Sequence, residues 1–355
     1  MSNKTIIQAV GNYDHAIPIF NELVRRWQNN DLPYTYMKKP QDEMFLPKDI
    51  KSNPLHHALF LFSSCFYMRG AIQSGLAIKK LTEMYDTQPG LFLPENFIGE
   101  KKAFTIESLN IILGEKLKFS LGDNLDAWIT GMARLHNEFN GDPRTLFSSL
   151  NYDTCCSIII KNRNSIGFKG FKEKMVSMLA YYLIDAELIP SFPFPPPIDF
   201  HLMRLMTQQG ILTLKDCSTS KRGKKINLHK NSFRTDKLLK AARELTLKYI
   251  LEQKVSSNDL ANALWLYSSQ VCSKSPHGSR VKKGEYAARS TPIEIKDEVK
   301  WSLNANNKFY NTCAICPIKN SCLGFISHAH YYANGEFQLI QTTKTDQLDL
   351  FVHVP

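Results

Sequence analysis

The stretch Ile189–Ile198 reads IPSFPFPPPI and holds five prolines in ten residues. Proline lacks a backbone donor, clashes in helix interiors and pushes the residue before it into an extended conformation. No helix can pass through such a segment, so it must run extended or as turns, and it divides the chain. Before it, apolar residues recur at three- and four-residue steps over His56–Met84, Lys101–Leu121, Leu125–Phe139 and Phe171–Leu188, with Gly70 interrupting the first of these. That period predicts amphipathic helices. Asp142–Pro143 predicts a turn and a helix start at Pro143. Strand-like alternation is confined to the tail, where Phe337–Thr343 and Leu348–Val354 predict a small hairpin or added arm. The expected fold class is all-α with a small β-like tail.

Composition narrows the class further. Of 355 residues, 43% are apolar and 22% charged, which excludes wholesale disorder, collagen and coiled coil. No apolar run reaches the roughly 18–20 residues of a membrane helix. The opening MSNKTIIQAVGNYDHAIPIF lacks the pattern of a secretory signal. The expectation is a cytoplasmic monomer with no membrane partner. Lys and Arg outnumber Asp and Glu by 44 to 33, a net charge of +11. That excess suits a polyanionic partner, most often nucleic acid, with a merely basic enzyme as the bland alternative. The basic residues gather in two polar loops, 218–235 and 273–295.

Three of the eight cysteines fall within ten residues, Cys313-Ala-Ile-Cys316-Pro-Ile-Lys-Asn-Ser-Cys322. A tetrahedral ion or a cubane cluster needs a fourth thiolate, and Cys272, which ends the helix-like Leu260–Cys272, is the best candidate. Thiolates are soft ligands and suit either zinc or an iron–sulfur cluster. Zinc is the weaker alternative, because a zinc ribbon usually carries two C-x2-C pairs and this chain has one. Cys65, Cys155, Cys156 and Cys217 have no comparable spacing and read as small core residues.

The C-x2-C-x5-C run with one cysteine ahead of it resembles the iron–sulfur loop of the endonuclease III and adenine glycosylase branch of the helix-hairpin-helix DNA glycosylases. In that family six residues separate the first two cysteines; here forty do, so residues 273–312 would be an insertion. Two further motifs occur in the family's order. Gly167-Phe-Lys-Gly170-Phe-Lys-Glu-Lys174-Met, followed by the apolar Val176–Leu188, resembles the hairpin and its second helix, with Asn140-Gly141-Asp142-Pro143 as the turn ahead of it. Phe171 and Lys172 depart from the usual Val-Gly pair, and Lys169 and Lys172 would compensate with side-chain charge. Ile198-Asp199-Phe200-His201-Leu202-Met203-Arg204 is similar to the segment that carries the family's catalytic aspartate. The longer PFPPPIDFH segment is also similar to a divergent clade, the α-glutamyl/putrescinyl-thymine pyrophosphorylases, which is implied in the hypermodified-base chemistry of phage DNA.

The resemblance implies two helical lobes: a barrel over 56–188 ending in the hairpin, and a lobe of 1–55 with 189–330 carrying a [4Fe–4S] cluster on Cys272, Cys313, Cys316 and Cys322. Residues 331–355 would be a tail. The implied partner is double-stranded DNA with a modified base, such as a phage hypermodified pyrimidine, lying across the cleft between the lobes. A glycosylase flips the nucleotide out and stabilises positive charge developing on the sugar. Asp199 would do the latter, or would simply cap a helix, or both. Lys174 stands either as a Schiff-base nucleophile or as a phosphate contact. Gly170, Lys169, Lys172 and Lys319 would meet phosphates, and Met68 or Arg69 would fill the gap left by the base. His201 and Arg204 read as structural. Tyr67, Phe192, Phe194 and Phe200 are candidate stacking platforms, or ordinary core. The implied activity is base excision; the alternatives are a base-installing transferase on the same fold and a non-enzymatic metal-cluster DNA-binding protein.

Overall fold

The computed structural model describes residues 7–39, 46–67, 74–113, 118–160, 167–216, 225–227, 232–272, 316–322, 332–333 and 336–338. Within these the protein is mostly helical, with short strands at its margins. The chain forms two compact units: a central unit of Lys38–Pro197 with Ser256–Asn258, and a terminal unit of Met1–Met37, Ile198–Val255 and Asp259–Pro355. The expected boundaries near 56 and 189 thus move to 38 and 198. The reason lies in side chains. Lys39 pairs with Asp185 at 3.0 Å, and Phe192 and Phe194 of the proline-rich run are buried against central-unit partners.

The central unit is built on α2 (Pro54–Tyr67), which is buried from His57 to its end. Asn53 caps it through Oδ1 to the His56 amide at 3.2 Å, and Pro54 takes the first helical position, where no donor is needed. Around α2 stand α3 (Ser74–Thr87), α5 (Lys118–Phe139) and α7 (Glu173–Asp185), with α4 (Lys101–Leu113) against α5 and α6 (Tyr152–Ile159) against α7. The interior is aromatic. Phe62 packs on Phe66, Phe168 and Phe171, while Trp128 of α5 meets Tyr67, Phe92 and Phe97. Gly131 lets α5 approach this cluster, since a Cβ there would lie 2.6 Å from Phe66 Cζ. At the end of α5, Asn140 and Gly141 adopt positive φ, and the Gly141 amide reaches back to the Leu135 carbonyl at 2.9 Å. Pro143 then opens a short 3-10 turn capped by Asp142.

The terminal unit joins α1 (Tyr13–Gln28), α8 (Phe200–Gln208), α9 (Ser232–Gln253) and α10 (Ser257–Leu266), the last extended by a π turn over Tyr267–Val271. Its core draws on Phe20, Leu23, Leu202, Met206, Leu245, Tyr249 and Leu264. Two strands that the hydropathy pattern did not suggest, β1 (Ile7–Gly11) and β2 (Leu212–Asp216), pair antiparallel along this core. In the tail, only the start of the expected strands falls on described residues. A hairpin forms from β4 (Tyr332–Ala333) and β5 (Glu336–Gln338), and β5 also pairs with β3 (Lys225–Asn227). The expected strand 348–354 and most of 337–343 lie outside the described residues.

Candidate functional site

Asp199 stands where the proline-rich segment gives way to α8. Its extended backbone and carboxylate make it the N-cap: Oδ1 accepts from the His201 amide at 2.8 Å and the Leu202 amide at 3.1 Å. Two donors on one oxygen fix the carboxylate's orientation, and among the described residues no protein group is assigned to Oδ2. The side chain is half-buried. Capping is therefore a role Asp199 has, and it engages one of the two carboxylate oxygens among the described residues. His201, the second residue of α8, sits edge-on to Trp265 at 6.4 Å, as a packed histidine would. The side chains of Phe200 and Arg204 lie outside the described residues.

The glycine segment belongs to the central unit and links α6 to α7. Gly167 and Gly170 both have positive φ (51° and 83°), a conformation that L side chains rarely adopt. The Phe168 amide donates to the Ile159 carbonyl at 2.8 Å, and Phe171 and Phe168 turn their rings into the aromatic core. Burying these two rings leaves Lys169, Gly170 and Lys172 exposed. Lys169 pairs with Asp126, and Lys172 is the N-cap residue of α7 with no side-chain cap bond. Lys174, half-buried on the first turn of α7, acts electrostatically on the thiol of Cys65, which burial pushes well up. Lys174 and Asp199 thus belong to different units. Tyr67, Phe192 and Phe194 are core residues, at most 5% exposed, which argues against their serving as stacking platforms. Met68 and Arg69 lie outside the described residues.

The candidate ligands Cys272, Cys316 and Cys322 lie in the terminal unit. Cys272 ends the π turn, its amide bonded to the Tyr267 carbonyl at 2.7 Å. Cys316 and Cys322 flank a single 3-10 turn over Lys319–Ser321. Cys272 and Cys316 both pack against the terminal core. The Tyr267 hydroxyl lies 2.6 Å from Cys316 Sγ, and burial followed by the Cys316 and Cys272 thiols drives its pKa well above the ordinary phenol value. Burial raises Cys316 itself, while Tyr267, Arg26 and Lys319 act in the opposite direction. Cys313 lies outside the described residues, and among those described no three His, Cys, Asp or Glu side chains stand together as a ligand group. The donors present still fit a thiolate-held group. Two soft donors from segments 44 residues apart, Cys272 and Cys316, both pack against the terminal core near one buried tyrosine, although burial holds the Cys316 thiol above its ordinary range.

Tyr267 and Arg26 were not among the residues the sequence singled out. Tyr267 lies five positions before Cys272, a separation that brings both together only because the helix widens into a π turn there. Compared with protein-family models, curated proteins and solved structures, the chain matches none. No described helix is long and apolar enough to cross a membrane.

Proposed function

We propose that the protein is a DNA glycosylase of helix-hairpin-helix type that excises a modified base, with Asp199 as its catalytic carboxylate. One observation supports this reading: Asp199 is held by two amides through a single oxygen, and the other oxygen would stabilise the positive charge that develops on the sugar. A carboxylate oriented in advance costs little reorganisation as the glycosidic bond breaks, and it can also orient the attacking water. The α6–turn–α7 arrangement, with exposed Lys169, Gly170 and Lys172 at its turn, supports a phosphate-binding role for that segment. Lys174 adds either a phosphate contact or a Schiff-base amine. The net charge of +11 supports counterion-release affinity for DNA. Held by Cys272, Cys313, Cys316 and Cys322, a [4Fe–4S] cluster would supply structural order to the loop that presents Lys319, with zinc as the weaker alternative.

The test is abasic-site formation on unmodified DNA and on phage DNAs carrying glucosylated cytosine or substituted thymine. Abasic sites are expected on one modified DNA. Asp199→Asn should lower their rate by about 100-fold or more. Asparagine caps a helix about as well as aspartate, so this variant should keep its fold and isolate the charge. A folded, DNA-binding protein that makes no abasic site on any of these DNAs would sink the reading. A heavier base in the product DNA would instead identify a base-installing transferase.

A further inference from the structure

From Leu260 to Ser268, along α10 and into its π turn, every residue is buried except Trp265. An enclosed helix thus gives its one open position to a large aromatic side chain, the reverse of what burial alone favours. The other described tryptophans are committed: Trp128 is fully buried, and Trp27 donates its indole N–H to Asp259 at 3.0 Å. Trp265 rests part of its ring on the terminal core and stays only half-buried. His201 meets it edge-on, with ring centroids 6.4 Å and planes 70° apart, so the imidazole does not lie flat on the indole. The backbone amide of the same His201 donates to Asp199 Oδ1 at 2.8 Å. One residue therefore joins the open indole to the carboxylate, and all three belong to the terminal unit.

We propose that Trp265 is the residue on which the flipped base stacks while Asp199 addresses its sugar. The inference rests on the glycosylase reading above. The base hangs one bond from the anomeric carbon, so a carboxylate placed at that carbon brings the base among the side chains packed beside it. A base taken out of the duplex loses its stacking partners, and an aromatic face restores part of that loss. Tyr67, Phe192 and Phe194, at most 5% exposed, offer no such face. Every base has a π-face, so Trp265 supplies affinity and orientation, while the base's substituents are read by other groups.

The experiment uses the full chain carrying Asp199→Asn, so that DNA is bound without excision. Two duplexes are compared by binding titration at one fixed salt concentration. The first holds an unpaired 5-hydroxymethyluracil at its centre, and the second holds a tetrahydrofuran abasic analogue there, with no base to stack. Adding Trp265→Ala should weaken binding of the first duplex about tenfold or more and leave the second unchanged. Trp265→Phe, which keeps an aromatic face, should retain most of the affinity for the first. Equal losses on both duplexes, or no loss on the first, overturn the role of Trp265 and leave the glycosylase reading to the abasic-site assay. A chain with Trp265 intact that binds neither duplex overturns DNA recognition and this inference together. Should Trp265→Ala fail to fold, the Asp199→Asn chain is irradiated on the first duplex with 5-iodouracil as its unpaired base. The cross-link should map to Trp265, and a cross-link to another residue, or none, overturns the proposal.

Discussion

The two units are held together by different means. The central unit comes almost entirely from one run of chain, Lys38–Pro197, and its largest side chains hold one another by ring contact. Trp128 and Tyr67 meet edge-on at 5.5 Å, yet Trp128 Nε1, Tyr67 Oη and Ser63 Oγ are buried without a hydrogen-bond partner among the described residues. The terminal unit is assembled from three separated runs. There the aromatic groups spend their polar atoms on ties across long sequence gaps: Tyr34 to the Ala263 carbonyl, Tyr249 to Asn21, Trp27 to Asp259 and Tyr267 to Cys316. Where the chain itself keeps neighbours close, ring packing predominates, and the aromatic hydroxyls that do bond, Tyr152 to the Glu173 carbonyl and Tyr85 to His56, tie residues only 21 and 29 positions apart. Where distant segments must find one register, directional bonds do the aligning, because an apolar face alone tolerates sliding.

The largest expected effect tests the apolar half of this contrast. Trp128 is fully buried among Tyr67, Phe92 and Phe97. Trp128→Ala should cost about 3–5 kcal/mol, and the loss should fall on the central unit. Hydrogen exchange in peptides from α2 and α5 would measure it, since a chain of two units need not unfold in one step. Protection lost equally in α1 and α9 would contradict the view that the two cores stand on separate footings.

How far the sequence foretold this depends on whether a signal is local. The helices around α2 were legible because three- and four-residue apolar steps survive without knowledge of partners. The proline-rich segment was legible as a break for the same reason. The strands β1 and β2 were not, because five-residue runs lying some 200 positions apart carry no mark of their pairing. At the candidate site, Asp199 was legible both as a motif residue and as a cap, since Asp before an apolar helical run is a local signal. Lys169 was expected to meet a phosphate, and its ion pair with Asp126 was invisible because it joins α5 to the α6–α7 turn. Tyr267 stayed hidden because its closeness to both cysteines depends on a π turn, and no composition announces one.

A smaller effect compares buried tyrosines directly. Tyr34→Phe and Tyr249→Phe each remove a bonded hydroxyl from the terminal unit and should cost about 1 kcal/mol apiece. Tyr67→Phe removes a buried hydroxyl that has no partner among the described residues, so it should be neutral or slightly stabilising. Thermal melts and exchange of the three variants provide the comparison. A Tyr67→Phe protein as damaged as Tyr34→Phe would mean that the Tyr67 hydroxyl is not the unpartnered group it is taken to be.

The smallest effect separates the units by pH. His57, on the first turn of α2, is buried, and desolvation, followed by the nearby Lys51 charge, lowers its pKa from the ordinary imidazole value. The folded central unit therefore binds this proton less readily than the unfolded chain, whose histidine titrates near about 6.5. Below that pH the unfolded state carries more protons, so stability falls as pH drops through this range and is fully present above it. In the terminal unit Glu22 has its pKa lowered by hydrogen bonding to Arg25 and then Arg26, against the opposing effect of partial burial. That contribution is present above the ordinary carboxylate range and is lost only as pH falls through the lower folded value. On acidification from pH 7.5, exchange protection in 54–67 should decline before that in 13–28, after correction for the intrinsic exchange rate. His57→Gln, which cannot titrate, should remove the early decline and leave the later one. If α1 loses protection first, or if His57→Gln leaves the order unchanged, the acid sensitivity of the central unit has another source than this buried imidazole.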